Sequence, residues 1–186
     1  MKKHLLCITL MLVTILPQST TLAATPKLPG QPTQHSASEL GNQKASTQQY
    51  DTFSCPRFAF SVHYPTMLCP QQPSQNGDGC IFSRGRAKMY AYGSWNVDVD
   101  ASNQAQIVAN AYQEYRKPTD SYTRLGKDFF VCSGTDSQGI IYYCKAQFKQ
   151  DRWVYIRFEY PQSDKKRFDP IVSHVVGSLK LFPVSY

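Results

Sequence analysis

Residues 139–160 read GIIYYCKAQFKQDRWVYIRFEY, and the reading of this stretch decides the fold. Aromatic and β-branched residues alternate with polar ones on either side of Lys149-Gln150-Asp151. A period of two predicts strands over residues 139–148 and 152–160, joined by a tight turn into an antiparallel pair. With Phe148 set near Arg152, one face gathers Ile140, Tyr142, Cys144, Ala146, Val154, Ile156 and Phe158, a set suited to a core. The other gathers Tyr143, Lys145, Gln147, Trp153, Tyr155, Arg157 and Glu159. Aromatics mixed with cations build cation–π ladders and also anchor binding hot spots. Tyr143, Lys145, Trp153, Tyr155 and Arg157 are therefore the candidate binding residues. The plainer alternative is a partly covered face whose cations reach past the rings to water.

Working outward, residues 127–133 form another strand that turns at Asp136-Ser137-Gln138-Gly139. Pairing Thr135 with Ile141 across that turn sets Cys132 opposite Cys144, the arrangement a cross-strand bridge needs. Upstream, residues 58–64 alternate up to Pro65, and strands over 80–83 and 87–95 flank the turn Arg84-Gly85-Arg86. Residues 103–116 change period. Ile107, Ala111 and Tyr115 share a stripe beside Val108 and Tyr112, which predicts an amphipathic helix capped by Asp100 or Ser102 and ended by Pro118. A strand over 122–125 follows. Asp169-Pro170 reads as the start of a last helix burying Ile171, Val172, Val175, Val176 and Leu179, and residues 179–184 as a return to the sheet. Strands interrupted by two helices give an α+β class, an antiparallel sheet flanked by two main helices.

The segments FAFSVHYP (58–65), NGDG (76–79), FSRGRA (82–87), YGSWN (92–96), VCSGTD (131–136) and FDPIV (168–172) resemble a group of secreted bacterial proteins. In element order that group is similar to the PsbP-like fold, which is named for an extrinsic subunit of photosystem II. The resemblance implies a sheet between helices and a binding or assembly role without catalysis, and it carries no catalytic residues with it.

The ends set the expected address. Met1-Lys2-Lys3-His4, the apolar run 5–16 and the small residues Ala23 and Ala24 read as a signal peptide over 1–24. That run is shorter than the about 20 residues a membrane helix requires. Residues 25–49, rich in Thr, Pro, Gln and Ser, read as a disordered linker. Residues 50–186 then make one domain, periplasmic or secreted. The net charge of +7 becomes +5 once Lys2 and Lys3 leave, and the remaining cations are scattered. That pattern argues against a nucleic-acid partner. Of six cysteines, Cys7 goes with the leader. In an oxidising compartment Cys69–Cys80 and Cys132–Cys144 are the expected disulfides, the first stapling the loop between its partners, with Cys55 left over.

Other motifs resolve to structure. Asn76-Gly77-Asp78-Gly79 is a turn, because a calcium loop needs several oxygen ligands and a phosphate loop needs Lys-Ser/Thr before a helix. Asp98, Asp100 and Ser102 begin like a calcium loop but lack its glycine and its closing Glu. No C-x-x-C spacing supports zinc, so neither metal nor cofactor is expected. Ser94 and Ser178 lack a nucleophile elbow, leaving His63 and His174 as the domain's histidines. The sequence thus points to an exported non-catalytic binding or accessory module whose partner is an envelope or extracellular protein or glycan. The rivals are an inhibitor of a secreted hydrolase such as lysozyme, presenting the 70–79 loop, and a small hydrolase using His63.

Overall fold

In the computed structural model residues 48–97 and 103–184 are described. The expected signal peptide, most of the linker, and Asp98, Asp100 and Ser102 lie outside them. In chain order the elements are β1 (Tyr50–Cys55), β2 (Phe60–Pro65), β3 (Cys69–Pro70), β4 (Gly79–Arg84), β5 (Ala87–Trp95), α1 (Gln104–Tyr115), β6 (Asp120–Leu125) and β7 (Phe129–Thr135). Then come β8 (Ile140–Lys149), β9 (Arg152–Pro161), a 3-10 turn (Gln162–Asp164), α2 (Lys165–Ser178) and β10 (Lys180–Leu181). The α+β class holds, as two antiparallel sheets with two helices.

The larger sheet has seven strands in the order β3-β4-β5-β9-β8-β7-β6, and a smaller one runs β1-β2-β10. The closing segment thus returns to the smaller sheet, pairing with β2. β9 sits mid-sheet and buries side chains on both faces. On one face Met89, Ala91, Val154, Ile156 and Phe158 pack with Phe60 and Val62 of the small sheet and with Phe168, Ile171 and Val175 of α2. On the other, Phe130, Cys132, Ala146, Phe148 and Trp153 pack under Val108 and Tyr112 of α1.

One turn determines which side chain joins which face. Gln150 and Asp151 both take left-handed backbone, with φ of 49° and 59°. Two such residues make the hairpin loop whose twist matches its strands. The turn is closed by Arg152 donating to the Lys149 carbonyl at 3.3 Å and held from outside by the Asn96 amide donating to Asp151 O at 2.8 Å. Lys149 therefore opposes Arg152 and Phe148 opposes Trp153. The sequence reading sets this pair one residue off, and a slip of one exchanges every side chain of a strand between faces. Val154, Ile156 and Phe158 consequently share a face with Tyr143, Lys145 and Gln147, not with Cys144 and Ala146.

Two helix starts also differ from expectation. Asn103 caps α1, its side chain accepting from the Gln106 amide at 3.1 Å. α2 begins at Lys165, a turn before Asp169, and carries Pro170 inside it. The upstream turn places Phe168, 1% exposed, against Tyr160 with ring centroids 4.8 Å apart. Burial of a whole phenylalanine is worth about 1.5–3 kcal/mol, which offsets the backbone hydrogen bond that proline removes.

Candidate functional site

The register divides the five candidate binding residues between two faces. Trp153, Tyr155 and Arg157 lie on the α1 side. Trp153 is 5% exposed, with its ring 5.0 Å from Phe148 and 5.8 Å from Phe130. Tyr155 stacks on Tyr92 at 4.9 Å and lies 6.3 Å from Tyr115 of α1. Arg157 pairs with Glu159, whose second oxygen accepts from the Tyr90 hydroxyl at 3.0 Å. Burial pushes the Tyr90 and Tyr92 phenols up to about 12. Trp153 and Tyr155 pack beneath α1 and are not an open recognition surface, while Arg157 is held within the sheet by Glu159 and Tyr90.

Tyr143 and Lys145 lie on the opposite face, where exposure rises toward the β6 edge. Across β6, β7 and β8 the register aligns Tyr122, Ser133 and Tyr143 in one row and Arg124, Val131 and Lys145 in the next. The Arg124 guanidinium and the Lys145 ammonium sit 5.4 and 5.6 Å from the centre of the Phe129 ring. Burial lowers the Lys145 pKa, opposed by nearby Asp128, and raises the Tyr143 phenol to about 12. Tyr143 thus stays a neutral hydrogen-bond donor at any physiological pH. Beside these rows lies a pocket of about 390 Å³ lined by Tyr122, Ser133, Tyr143, Tyr160, Lys165 and Asp169, among others. Asp169 accepts from the Tyr160 hydroxyl at 3.2 Å and pairs with Lys165. Rings for stacking, hydroxyls for hydrogen bonds and a partly desolvated cation suit the binding of a polar, ring-bearing or anionic group. Tyr122, Arg124, Phe129, Tyr160, Lys165 and Asp169 are absent from the sequence-based set. Only the even spacing of Tyr122 and Arg124 on a strand hints at their shared face.

The Asn76-Gly77-Asp78-Gly79 stretch is a turn, with Gly77 at φ 70° and Asp78 paired to Arg57 at 2.9 Å. The Cys55 thiol donates to Gly77 O at 3.4 Å, and the Cys80 thiol to Gln71 O at 3.4 Å. All five described cysteines are thiols. The expected Cys69–Cys80 staple fails on register. Cys69 opposes Ser83, three residues along β4 from Cys80, an offset of about 10 Å at the usual strand rise and beyond a disulfide's reach. Cys69 is also exposed while Cys80 is buried in the core. Cys132 and Cys144 do oppose each other, both 1% exposed, but as thiols without a bond between them.

Among the described residues neither Ser94 nor Ser178 bonds a histidine ring. Ser178 Oγ donates to the Val175 carbonyl and accepts from the backbone amide of His63, not from its ring. Ser94 stands on β5 opposite Trp153, in the other sheet from His63. The His63 ring meets His174 instead, Nδ1 to Nε2 at 3.0 Å. Among the described residues no helix is long and apolar enough to cross a membrane.

No protein-family model and no curated protein matches the chain. Among solved structures it is similar to the solution structure of cyanobacterial PsbP (CyanoP) from Synechocystis sp. PCC 6803. That match has a TM-score of 0.51 at 10% identity and covers 77% of this chain and 99% of that one. The fold is PsbP-like. A crystal structure from Bacteroides thetaiotaomicron VPI-5482 aligns with a TM-score of 0.49 and 12% identity, over 74% of this chain and 50% of that chain. At 10% identity the fold alone is what this chain shares with the cyanobacterial protein. That fold's antiparallel sheet and two helices agree with the class read from the hairpin and the two helical stripes.

Proposed function

We propose that this chain is an exported, non-catalytic binding module whose recognition surface is the open face of β6, β7 and β8 with the adjoining pocket at α2. The observation that carries the reading is the pocket of about 390 Å³ where Tyr122, Tyr143 and Tyr160 meet Lys165 and Asp169. Continuous with it, Arg124 and Lys145 lie over Phe129. The partner is an envelope or extracellular protein or glycan, since stacking rings ringed by hydroxyls and cations recognise both. The basic, apolar start of the sequence supports export. In an oxidising compartment the opposed Cys132 and Cys144 close to a cross-strand disulfide that tightens the sheet beneath this face, and Cys69 stays free.

The test is capture from an envelope extract together with a glycan array, using wild type, Tyr143→Ala, Tyr122→Ala and Ile81→Ser. Ile81 is 42% exposed on the other side of the sheet and serves as the control. A hot-spot residue contributes about 2 kcal/mol or more, so Tyr143→Ala weakens capture roughly thirtyfold. Equal capture by all four proteins removes this surface from consideration.

A further inference from the structure

The two histidines of the described domain meet although they come from different elements and lie 111 residues apart in the chain. His63 stands on β2 opposite Thr52 of β1. His174 stands on the surface of α2. Three contacts orient the pair. Ser178 of α2 accepts from the His63 backbone amide at 2.8 Å, which fixes β2 against the helix. Tyr50 stacks on the His174 ring with centroids 3.8 Å apart and planes 24° from parallel. The two imidazoles lie 28° from parallel with centroids 5.2 Å apart. The rings are thus held before anything binds.

The nitrogens that face each other, His63 Nδ1 and His174 Nε2, are 3.0 Å apart. Two imidazoles on one first-row metal ion, at about 2.0–2.1 Å per bond and an angle between square and tetrahedral, hold their nitrogens about 2.9–3.4 Å apart. A hydrogen bond spans that gap between two neutral rings; a metal ion cannot sit on the line itself, and a small rotation of each ring aims both lone pairs at an ion about 1.4 Å to one side of it. We propose that His63 and His174 form a two-point site for a divalent transition-metal ion of the imidazole-preferring class, Ni²⁺, Cu²⁺ or Zn²⁺. No group of three or more His, Cys, Asp or Glu converges among the described residues. Water therefore fills the remaining positions, and the ion exchanges freely. Bound there, it cross-links β2 to α2, and neither histidine lines the tyrosine pocket. The site is independent of the recognition surface.

The experiment is isothermal titration of the full chain with Ni²⁺, which does not oxidise thiols, in a Cys69→Ser background that removes the exposed thiol. One equivalent is expected, with a dissociation constant on the order of micromolar. His63→Gln and His174→Gln each weaken it about tenfold or more, because the second contact is made at high effective concentration. Glutamine keeps a polar side chain of similar reach, and thermal unfolding by circular dichroism verifies the fold. Ni²⁺ raises the melting temperature of the parent and not of the double variant. Undiminished binding in the double variant, weakening in only one single variant, or no binding of Ni²⁺ at about 1 mM each overturns the proposal.

Discussion

Replacing Arg152 by Met probes the part of the fold that the hairpin turn controls. Its side chain is 0% exposed. Nε donates to Phe58 O at 2.8 Å, Nη1 to Lys149 O at 3.3 Å and to Gln150 Oε1 at 3.4 Å, and Nη2 to Phe182 O and Ala59 O. The guanidinium thereby ties the β8–β9 turn to the chain entering β2 and to the chain leaving β10. Ala59 itself holds a strained φ of 44°. Methionine preserves the stem's packing and removes every donor. The buried Phe58 carbonyl loses a charge-assisted bond, costing about 2–3 kcal/mol, and the part-buried acceptors, which water can refill, add about 1 kcal/mol. The sum, about 3–4 kcal/mol, is a large share of a typical domain's stability of about 5–15 kcal/mol, and lowers the melting temperature by roughly 10 °C. Urea unfolding followed by the fluorescence of buried Trp153 measures it, with an unchanged m-value. Arg152→Lys recovers less than half, because a compact ammonium cannot span the Phe58 and Phe182 carbonyls together. A loss under about 1 kcal/mol for Arg152→Met refutes the reasoning, since the hydrogen bonds would then only replace those to water.

Gly134→Ala is expected to lower stability by about 1–3 kcal/mol, since a Cβ there would lie 2.1 Å from the Thr119 carbonyl oxygen and the backbone must shift. Faster amide exchange confined to β6 and β7 would locate the damage, and wild-type exchange would contradict it. Under reducing conditions at pH 8, iodoacetamide should label exposed Cys69 in the native protein and leave Cys55, Cys80, Cys132 and Cys144 unlabelled, counted by mass spectrometry. Burial raises the Cys144 thiol to about 11 and the Cys132 thiol to about 12 from an ordinary 9.0. Folding therefore favours the protonated thiols: their contribution is whole below pH 9 and is lost as pH rises toward 11–12. Urea midpoints at pH 8 and 10.5 in reductant should fall, and fall less in Cys132→Ala/Cys144→Ala. An equal fall in both proteins would deny these thiols the role.

The sequence by itself determined whatever depends on local period and turn chemistry. The alternation over 139–160, the stripe Ile107-Ala111-Tyr115 and the Asp136–Gly139 turn fix an antiparallel α+β fold. That last turn also fixes the opposition of Cys132 and Cys144, because its length leaves one register. The NGDG turn was equally legible. Tertiary structure decided the rest. Gln150-Asp151 carries no glycine to announce left-handed backbone, and a bond from the sequence-distant Asn96 amide helps hold it there beside the flanking Arg152, so the face assignment of β8 against β9 was hidden. With it went the location of the site, because one residue of register sends Trp153 and Tyr155 under α1 and leaves Tyr143 and Lys145 on the open face. Cys69 and Cys80 look stapled when counted along the chain and are separated by the pairing of β3 with β4. The tyrosine pocket and the His63–His174 pair join residues from strands and a helix far apart in sequence. Only packing brings such residues together, since periodicity constrains each element and says nothing of which neighbour it meets.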